Sequence, residues 1–425
     1  MKVFKFGGAS TNSYDRIKGL SYILENYKDE KILIVISAMG KITNALEKVA
    51  EAFYEGRNDD ALELFQKIKN YHLSQLKYLI TRRWEKATNQ LNKLFTDVEQ
   101  LLHDKPVKDY NYYYDQIVCT GELLSSTLIS YFLNEEKLPN QWMDVRDLLK
   151  TDDTFRDAKL DWETSKKNVS EKLLPLFVEN NFVVTQGFIA STVENESTTL
   201  GREGSDYTAA IFGDLLDAES VTIWKDVNGV MNADPKDFKE ATTIEELSYK
   251  EVIEMAYYGA QVIHPKTIKP LQNKNIPLYV RSFLDLRLHG TVISEKQIHH
   301  LPPMIIYKRR QALVTLQTTD FSFVEGKPTN LLHQILGRLR IKPNLTQNAA
   351  ISQMICIDDI PEKTAQFASE ASVMFDVQIQ KELTLLTIRH YTPEYIDLLS
   401  KSTEILLEQK TSETVQLLIK QEKSK

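Results

Sequence analysis

Lys5-Phe6-Gly7-Gly8-Ala9-Ser10 sets a lysine two residues ahead of a glycine pair, just past the start of the chain. Paired glycines let backbone N–H groups approach phosphate oxygens, a helix starting there adds a favourable dipole, and Lys5 can reach a transferring phosphoryl group as a point charge. Alone, the segment also fits any tight strand-to-helix turn. A second turn runs from Thr198 through Gly201-Arg202-Glu203-Gly204-Ser205-Asp206 to Ala210. Its glycines flank Arg202, whose planar fork suits a carboxylate. Ser205 and Asp206 stand at the N-terminus of a helix heading toward Leu216. There they either cap that helix or, for Asp206, face the nucleotide side, where a carboxylate organises Mg²⁺ or a lysine. A third turn, Trp224-Lys225-Asp226-Val227-Asn228-Gly229-Val230-Met231-Asn232-Ala233-Asp234-Pro235-Lys236, fits a nucleotide cradle at the carboxyl end of a sheet. It fits equally an Asn-Gly turn followed by an Asp-Pro turn. Neither a Walker A segment nor GxGxxG is present.

The elements that must position these turns alternate short apolar runs with longer amphipathic ones, the pattern of an α/β domain with a mainly parallel sheet. Strands are expected at Val3–Phe6, Ile32–Ser37, Gln141–Val145, Phe182–Gln186, Val221–Trp224 and Leu278–Arg281. Ile32-Leu33-Ile34-Val35-Ile36 is apolar throughout, as a strand covered on both faces requires. Residues 42–134 read as several helices with a tyrosine-rich break at Tyr110–Tyr114, the tyrosines packing or meeting another copy, with ligand stacking as the alternative. His299-His300-Leu301-Pro302-Pro303 reads as part of a linker, and its adjacent histidines as solvated. Beyond it a βαββ pattern occurs twice. Strands are expected at Ala312–Thr318, Lys342–Gln347 and Ile351–Ile357, with helices at Asn330–Leu339 and Pro361–Met374. The second round has strands at Leu383–Arg389, Thr403–Gln409 and Val415–Lys420 and a helix at Pro393–Leu399, before a frayed tail, Gln421–Lys425. The expected fold is thus a three-layer α/β sandwich over 1–295, a linker over 296–311, and two small α+β modules over 312–380 and, shorter, 381–425.

A chain of 425 residues exceeds one compact core. The net charge of −7 offers no basic field for nucleic acid or acidic lipid. No apolar stretch approaches the ~18 residues of a membrane helix. With no signal-peptide pattern, a cytoplasmic protein is expected. Cys119 and Cys356 match no metal or redox spacing, so they read as idle thiols.

Six segments in this order resemble the aspartokinases of the amino acid kinase family: Lys5–Ser10, Ser37–Asn44, Gly121–Ser126, Thr198–Asp206, Trp224–Lys236 and Gly259–Pro265. The resemblance covers about residues 1–295, and the C-terminal pair is similar to ACT modules. It implies transfer of the γ-phosphoryl group of ATP, with Mg²⁺, to the β-carboxylate of L-aspartate. That acceptor has a pKa near ~3.9 and is already ionised, so no general base is required. Catalysis then falls to Lys5, Gly8 and Asp206. The amino acid falls to Ser37, Thr43, Glu122, Arg202 and Ser205, with Arg202 on a carboxylate and Glu122 on the ammonium. The nucleotide falls to Lys5, Gly7, Gly8, Ser10, Lys225, Asp226, Met231, Lys236 and Gln261. His264, before Pro265, reads as opening a helix. The ACT resemblance implies a homodimer or higher homo-oligomer and an effector, lysine first and threonine second, near Asn344, Gln347, Asn348 and Ser352. The turn Phe323–Pro328 departs from the glycine-led form of such modules. No fused dehydrogenase is expected at this length.

Glu203 stands where the family pattern has glycine, Lys225 where it has threonine, and Gln261 where it has lysine or arginine. Two other readings stay open at this stage: a kinase of the same fold with another acceptor, and an effector-binding subunit that has lost catalysis. Glu122 speaks against the first, because an N-acylated acceptor has no ammonium. Intact Lys5, Arg202, Ser205 and Asp206 speak against the second.

Overall fold

Every residue of Ile32–Ile36 is fully buried in the computed structural model, which describes residues 1–320, 323–324, 326–401 and 403–421. That strand lies inside an eight-stranded sheet. From edge to edge the order is Glu246–Ser248, Thr291–Ser294, Leu278–Ser282, Ser220–Lys225, Lys2–Phe6, Ile32–Ile36, Phe182–Gln186 and Asn140–Trp142. All neighbours run parallel except Leu278–Ser282 with Thr291–Ser294. Strand side chains alternate between faces. Phe4, Phe6, Ile34, Ile36 and Val184 join one apolar cluster with Leu124, Leu128 and Phe132 of the helix Thr120–Glu135. Val3, Leu33, Val35 and Val221 are equally buried and point the other way. There a Cβ on Gly213 would come within 2.6 Å of Val221 and 2.8 Å of Leu271, so the helices Gly204–Leu215 and Pro265–Asn273 close that side. Helix, sheet and helix make the expected three layers.

Residues 42–135 form five helices: Ile42–Tyr54, Asn58–Leu79, Trp84–His103, Tyr110–Val118 and Thr120–Glu135. The tyrosine run is no break. It opens the fourth helix, where Tyr113 and Tyr114 are buried against their neighbours. Aromatic packing supplies the apolar face that a turn would lack.

The chain divides into two compact units. The first holds residues 1–230, 243–253 and 263–298; the second holds 231–242, 254–262 and 299–425. In the second, the strand Met304–Thr318 begins inside the stretch read as linker. It pairs antiparallel along its length with Phe375–Arg389, another fifteen-residue strand, from Met304 opposite Arg389 to Thr318 opposite Phe375. The two βαββ rounds therefore share one six-stranded antiparallel sheet. The register shifts between Lys308 and Leu313, where Arg310 takes a positive φ, as does Glu382 on the partner strand. Such bulges let a long polar-centred strand bend. Glu325 of the turn Phe323–Pro328 and residues 422–425 of the tail read as frayed lie outside the described residues. Cys119 and Cys356 are both free and buried, and burial pushes the Cys356 thiol up to about 12.

Candidate active site

Strand parity brings the charged groups together. Lys5 shares the face of Val3, and Lys225 that of Val221 and Ile223, on two strands paired in parallel register. Both lysines thus leave the sheet on the face that carries the helix Gly204–Leu215, and Asp206 lies in that helix's first turn. Lys5 Nζ sits 2.5 Å from Asp206 Oδ1 and Lys225 Nζ 3.6 Å from Oδ2. Burial opposes ionisation of Asp206, but the two lysines and the hydrogen bonds they donate outweigh it and hold the carboxyl below its ordinary value. The trio carries a net positive charge, which favours an anion beside it. Gly8 closes in from the strand end: a Cβ there would meet Ala38 O at 2.8 Å and Gly40 O at 2.9 Å. Only glycine allows the two loops to approach so closely.

A cleft of about 530 Å³ opens here. Of the residues singled out in the sequence, Lys5, Gly8, Ser37, Thr43, Glu122, Arg202, Ser205, Asp206 and Lys225 line it. Gly7 and Ser10 do not line it: a Cβ on Gly7 would lie 3.2 Å from Lys5 Nζ, and Ser10 donates to Trp224 O at 3.3 Å; Asp226 is exposed. Met231, Lys236 and Gln261 belong to the second compact unit.

Glu122 is 2% exposed and accepts from Ala38 N at 3.2 Å through Oε1. Among the described residues its Oε2 is buried without a hydrogen-bond partner. Burial pushes this carboxyl up to about 8, further than the Ala38 hydrogen bond and distant Lys5 pull it back. A buried carboxylate with an open acceptor suits a cationic ligand group.

Glu203 adopts φ 53, ψ 29, the left-handed backbone that glycine takes without cost. Its Oε2 accepts from His264 N at 2.9 Å, while the His264 ring accepts from Lys266 N and caps the helix Pro265–Asn273. The carboxylate is thereby occupied by a backbone donor. Lys225, in place of threonine, supplies the second lysine on Asp206.

The cleft also contains Glu47, Arg156 and Phe188, which the sequence reading missed, together with Thr199 of the second turn and Tyr114 of the tyrosine run, neither of them assigned to the site. Tyr114 donates to Glu47 Oε1 at 2.6 Å. Asp115, fully buried, accepts from Thr199 N at 2.8 Å, Thr199 Oγ1 at 2.7 Å and Arg156 N at 2.9 Å. Burial raises the Asp115 carboxyl to about 6 despite these donors. The tyrosine run was the only local signal for this end of the cleft. Among the described residues no group of three or more His, Cys, Asp or Glu side chains comes together to hold a metal ion.

The effector candidates lie in the second unit. Asn344 donates to Gln311 Oε1 and Asp358 Oδ1 and accepts from Lys308 Nζ. Asn348 accepts from Gln353 Nε2. Gln347 is exposed on the strand Leu345–Asn348, and Ser352 opens the next strand, Ser352–Asp358. No helix of the described residues is long and apolar enough to cross a membrane.

The profile of the "Amino acid kinase family" matches residues 1–282. "Lysine-sensitive aspartokinase 3" of Escherichia coli (strain K12) is 31% identical over 396 residues, covering 91% of this chain and 86% of that protein. "Bifunctional aspartokinase/homoserine dehydrogenase 1, chloroplastic" of Zea mays is 30% identical over 384 residues, and the chain spans 41% of that longer protein. Among solved structures, E. coli aspartokinase III in complex with aspartate and ADP superposes with a TM-score of 0.81 at 28% identity, covering 99% of this chain and 96% of the other. The same enzyme with lysine and aspartate gives 0.82, also at 28% identity, covering 98% and 95%.

Proposed function

The chain belongs to the amino acid kinase family, among its aspartokinases, and we propose that it transfers the γ-phosphoryl group of ATP to the β-carboxylate of L-aspartate. The observation that carries this reading is one cleft holding two lysines on a buried aspartate beside an arginine and a buried, open-acceptor glutamate. The first group suits phosphate; the second suits an amino acid.

The acceptor carboxylate is already an anion at neutral pH, with a reference pKa near ~3.9, so the protein's task is positioning and charge balance. Lys5 meets the transferring phosphoryl oxygens, and Asp206 holds its ammonium in place. Gly8 lets backbone approach the phosphates. Arg202 takes the α-carboxylate of aspartate, Glu122 its ammonium, and Ser37, Thr43 and Ser205 donate hydrogen bonds around acceptor and phosphates. Gly7, Ser10, Lys225 and Asp226 serve the nucleotide. Mg²⁺ fits here as an ion carried by the phosphates, because Asp206 and Glu203 are the carboxylates at that end and the described residues bring together no ligand cage of their own. When bound it would neutralise phosphate charge.

The E. coli relative's name marks it as lysine-sensitive. On that basis we assign lysine as first candidate effector and threonine as second, at Asn344, Gln347, Asn348 and Ser352, in a cytoplasmic homo-oligomer. The reading as a non-catalytic subunit loses its main motive, since Glu203 spends its carboxylate on His264 N. The test is ADP release across a panel of amino acids with MgATP: L-aspartate should support turnover and N-acetyl-aspartate should not. Equal turnover on the acylated acceptor would reject the assignment of Glu122 and the reading with it.

A further inference from the structure

Arg156 has φ 73, a left-handed backbone that disfavours any residue with a Cβ. It is nevertheless an arginine, and its exposed side chain lines the cleft rather than turning to bulk solvent alone. Three observations fix where its charge is held. Its backbone N–H donates to Asp115 Oδ2 at 2.9 Å, the same oxygen that accepts from Thr199 N at 2.8 Å. Ala158 N donates to Thr199 O at 3.0 Å, and a Cβ on Gly201 would meet Arg156 O at 3.3 Å. The loop carrying Arg156 is therefore bolted to the loop carrying Arg202 through one buried carboxylate. Finally, the guanidinium lies over the Tyr114 ring, 4.4 Å from its centroid, and 5.7 Å from that of Tyr110.

Stacking on a ring face uses the π surface of a guanidinium and leaves its edge N–H groups for a carboxylate. Among the described residues, Arg156 has no carboxylate side chain as a salt-bridge partner; its side-chain hydrogen bond is a long one, to Asn111 Oδ1 at 3.4 Å. In the cleft it lies over Tyr114, and its loop is tied to the turn that carries Thr199 and Arg202. We infer that Arg156 is a second clamp, beside Arg202, on the α-carboxylate of the acceptor, and that it sets specificity for a dicarboxylic amino acid. A strained arginine aimed at a cleft is what such a role requires, and glycine would suit the backbone better in its absence.

The inference rests on the aspartate-kinase reading, and its test separates the two. The full-length protein is assayed with L-aspartate and with L-aspartate α-amide, which keeps the ammonium and the β-carboxylate but lacks the α-charge. Failure of the underlying reading shows in the wild type, as no turnover with aspartate, and takes this inference with it. Given wild-type turnover, Arg156→Gly should lower the kcat/KM ratio of aspartate to its α-amide by about tenfold or more, the scale of one charge-assisted contact. Arg156→Lys, which keeps the charge, should recover part of that ratio. Glycine fits the left-handed backbone, so a folding defect does not cloud the result. An unchanged ratio in Arg156→Gly, or equal losses for aspartate, α-amide and ATP, would overturn the assignment.

Discussion

The ammonium of Lys5 lies 2.5 Å from Asp206 Oδ1, and both side chains are buried. An ion pair so enclosed is a weak device for stability, because desolvation offsets its attraction. It is a strong device for holding a positive charge at a fixed point. Lys5→Ala should accordingly lower kcat by on the order of 10²–10³-fold, the usual loss for one electrostatic contact to a transition state. The KM for aspartate should move far less. Steady-state kinetics decide it, and near-normal kcat would remove Lys5 from the chemistry.

Glu122 makes aspartate binding depend on pH. Its carboxyl in the free protein titrates near 8, above the ordinary value, because it is buried. Below that pH the free site holds a proton, whereas pairing with an ammonium favours the carboxylate, so binding releases the proton. Apparent affinity for aspartate should then rise by up to about tenfold per pH unit between 6 and 8 and level off above. Glu122→Gln should weaken aspartate binding, leave ATP little affected and flatten this slope. The same raised value means that Glu122 favours the folded state at low pH and loses that contribution as pH climbs from 4.5 toward 8. The glutamine variant should therefore gain melting temperature relative to wild type across that window. A flat wild-type profile would contradict the assignment.

Glu203→Gly sets two effects against each other. Glycine relieves a left-handed backbone worth roughly 1–2 kcal/mol. It also removes the acceptor for His264 N, a charged hydrogen bond worth roughly 1.5–3 kcal/mol. The net change in stability should fall between a gain of about 0.5 and a loss of about 2 kcal/mol, and turnover should stay in the ordinary kinase range of ~1–100 s⁻¹ in both proteins. An inert wild type rescued by glycine would replace this account with a regulatory one.

Lysine sensitivity is testable by titrating lysine and threonine, separately and together, into the kinase assay. Inhibition should appear by millimolar lysine and weaken in Gln347→Ala or Ser352→Ala; by linkage, aspartate or ATP should weaken lysine binding in turn. Truncation near Leu301 is a poor control, because residues 231–242 and 254–262 belong to the unit it would remove. No response to either amino acid would reject the effector site.

What the sequence disclosed was what lies close along the chain. Lys5, Gly8, Arg202 and Asp206 sit in short glycine-bearing turns whose chemistry is local, and strand alternation then aims both lysines at Asp206. Arg156 escaped notice because its place in the cleft depends on Asp115 tying two distant loops together, and Glu47 because it meets the cleft through Tyr114, a partner far along the chain. Nothing local marks Arg156 as left-handed. The tyrosine run was read as a break because its apolar partners come from other helices. The shared sheet of the second unit was obscured by Lys308-Arg309-Arg310, polar residues at a bulge in the middle of a long strand.

The most direct measurement identifies which carboxyl group of aspartate receives the phosphoryl group. Enzyme, MgATP and L-aspartate are incubated with hydroxylamine, which converts an acyl phosphate to its hydroxamate, and the product is resolved by mass spectrometry against α- and β-hydroxamate standards. Stoichiometric ADP and the β-hydroxamate alone are the predicted result. ADP release without hydroxamate, the α-isomer, or no turnover above the aspartate-free background would contradict the account.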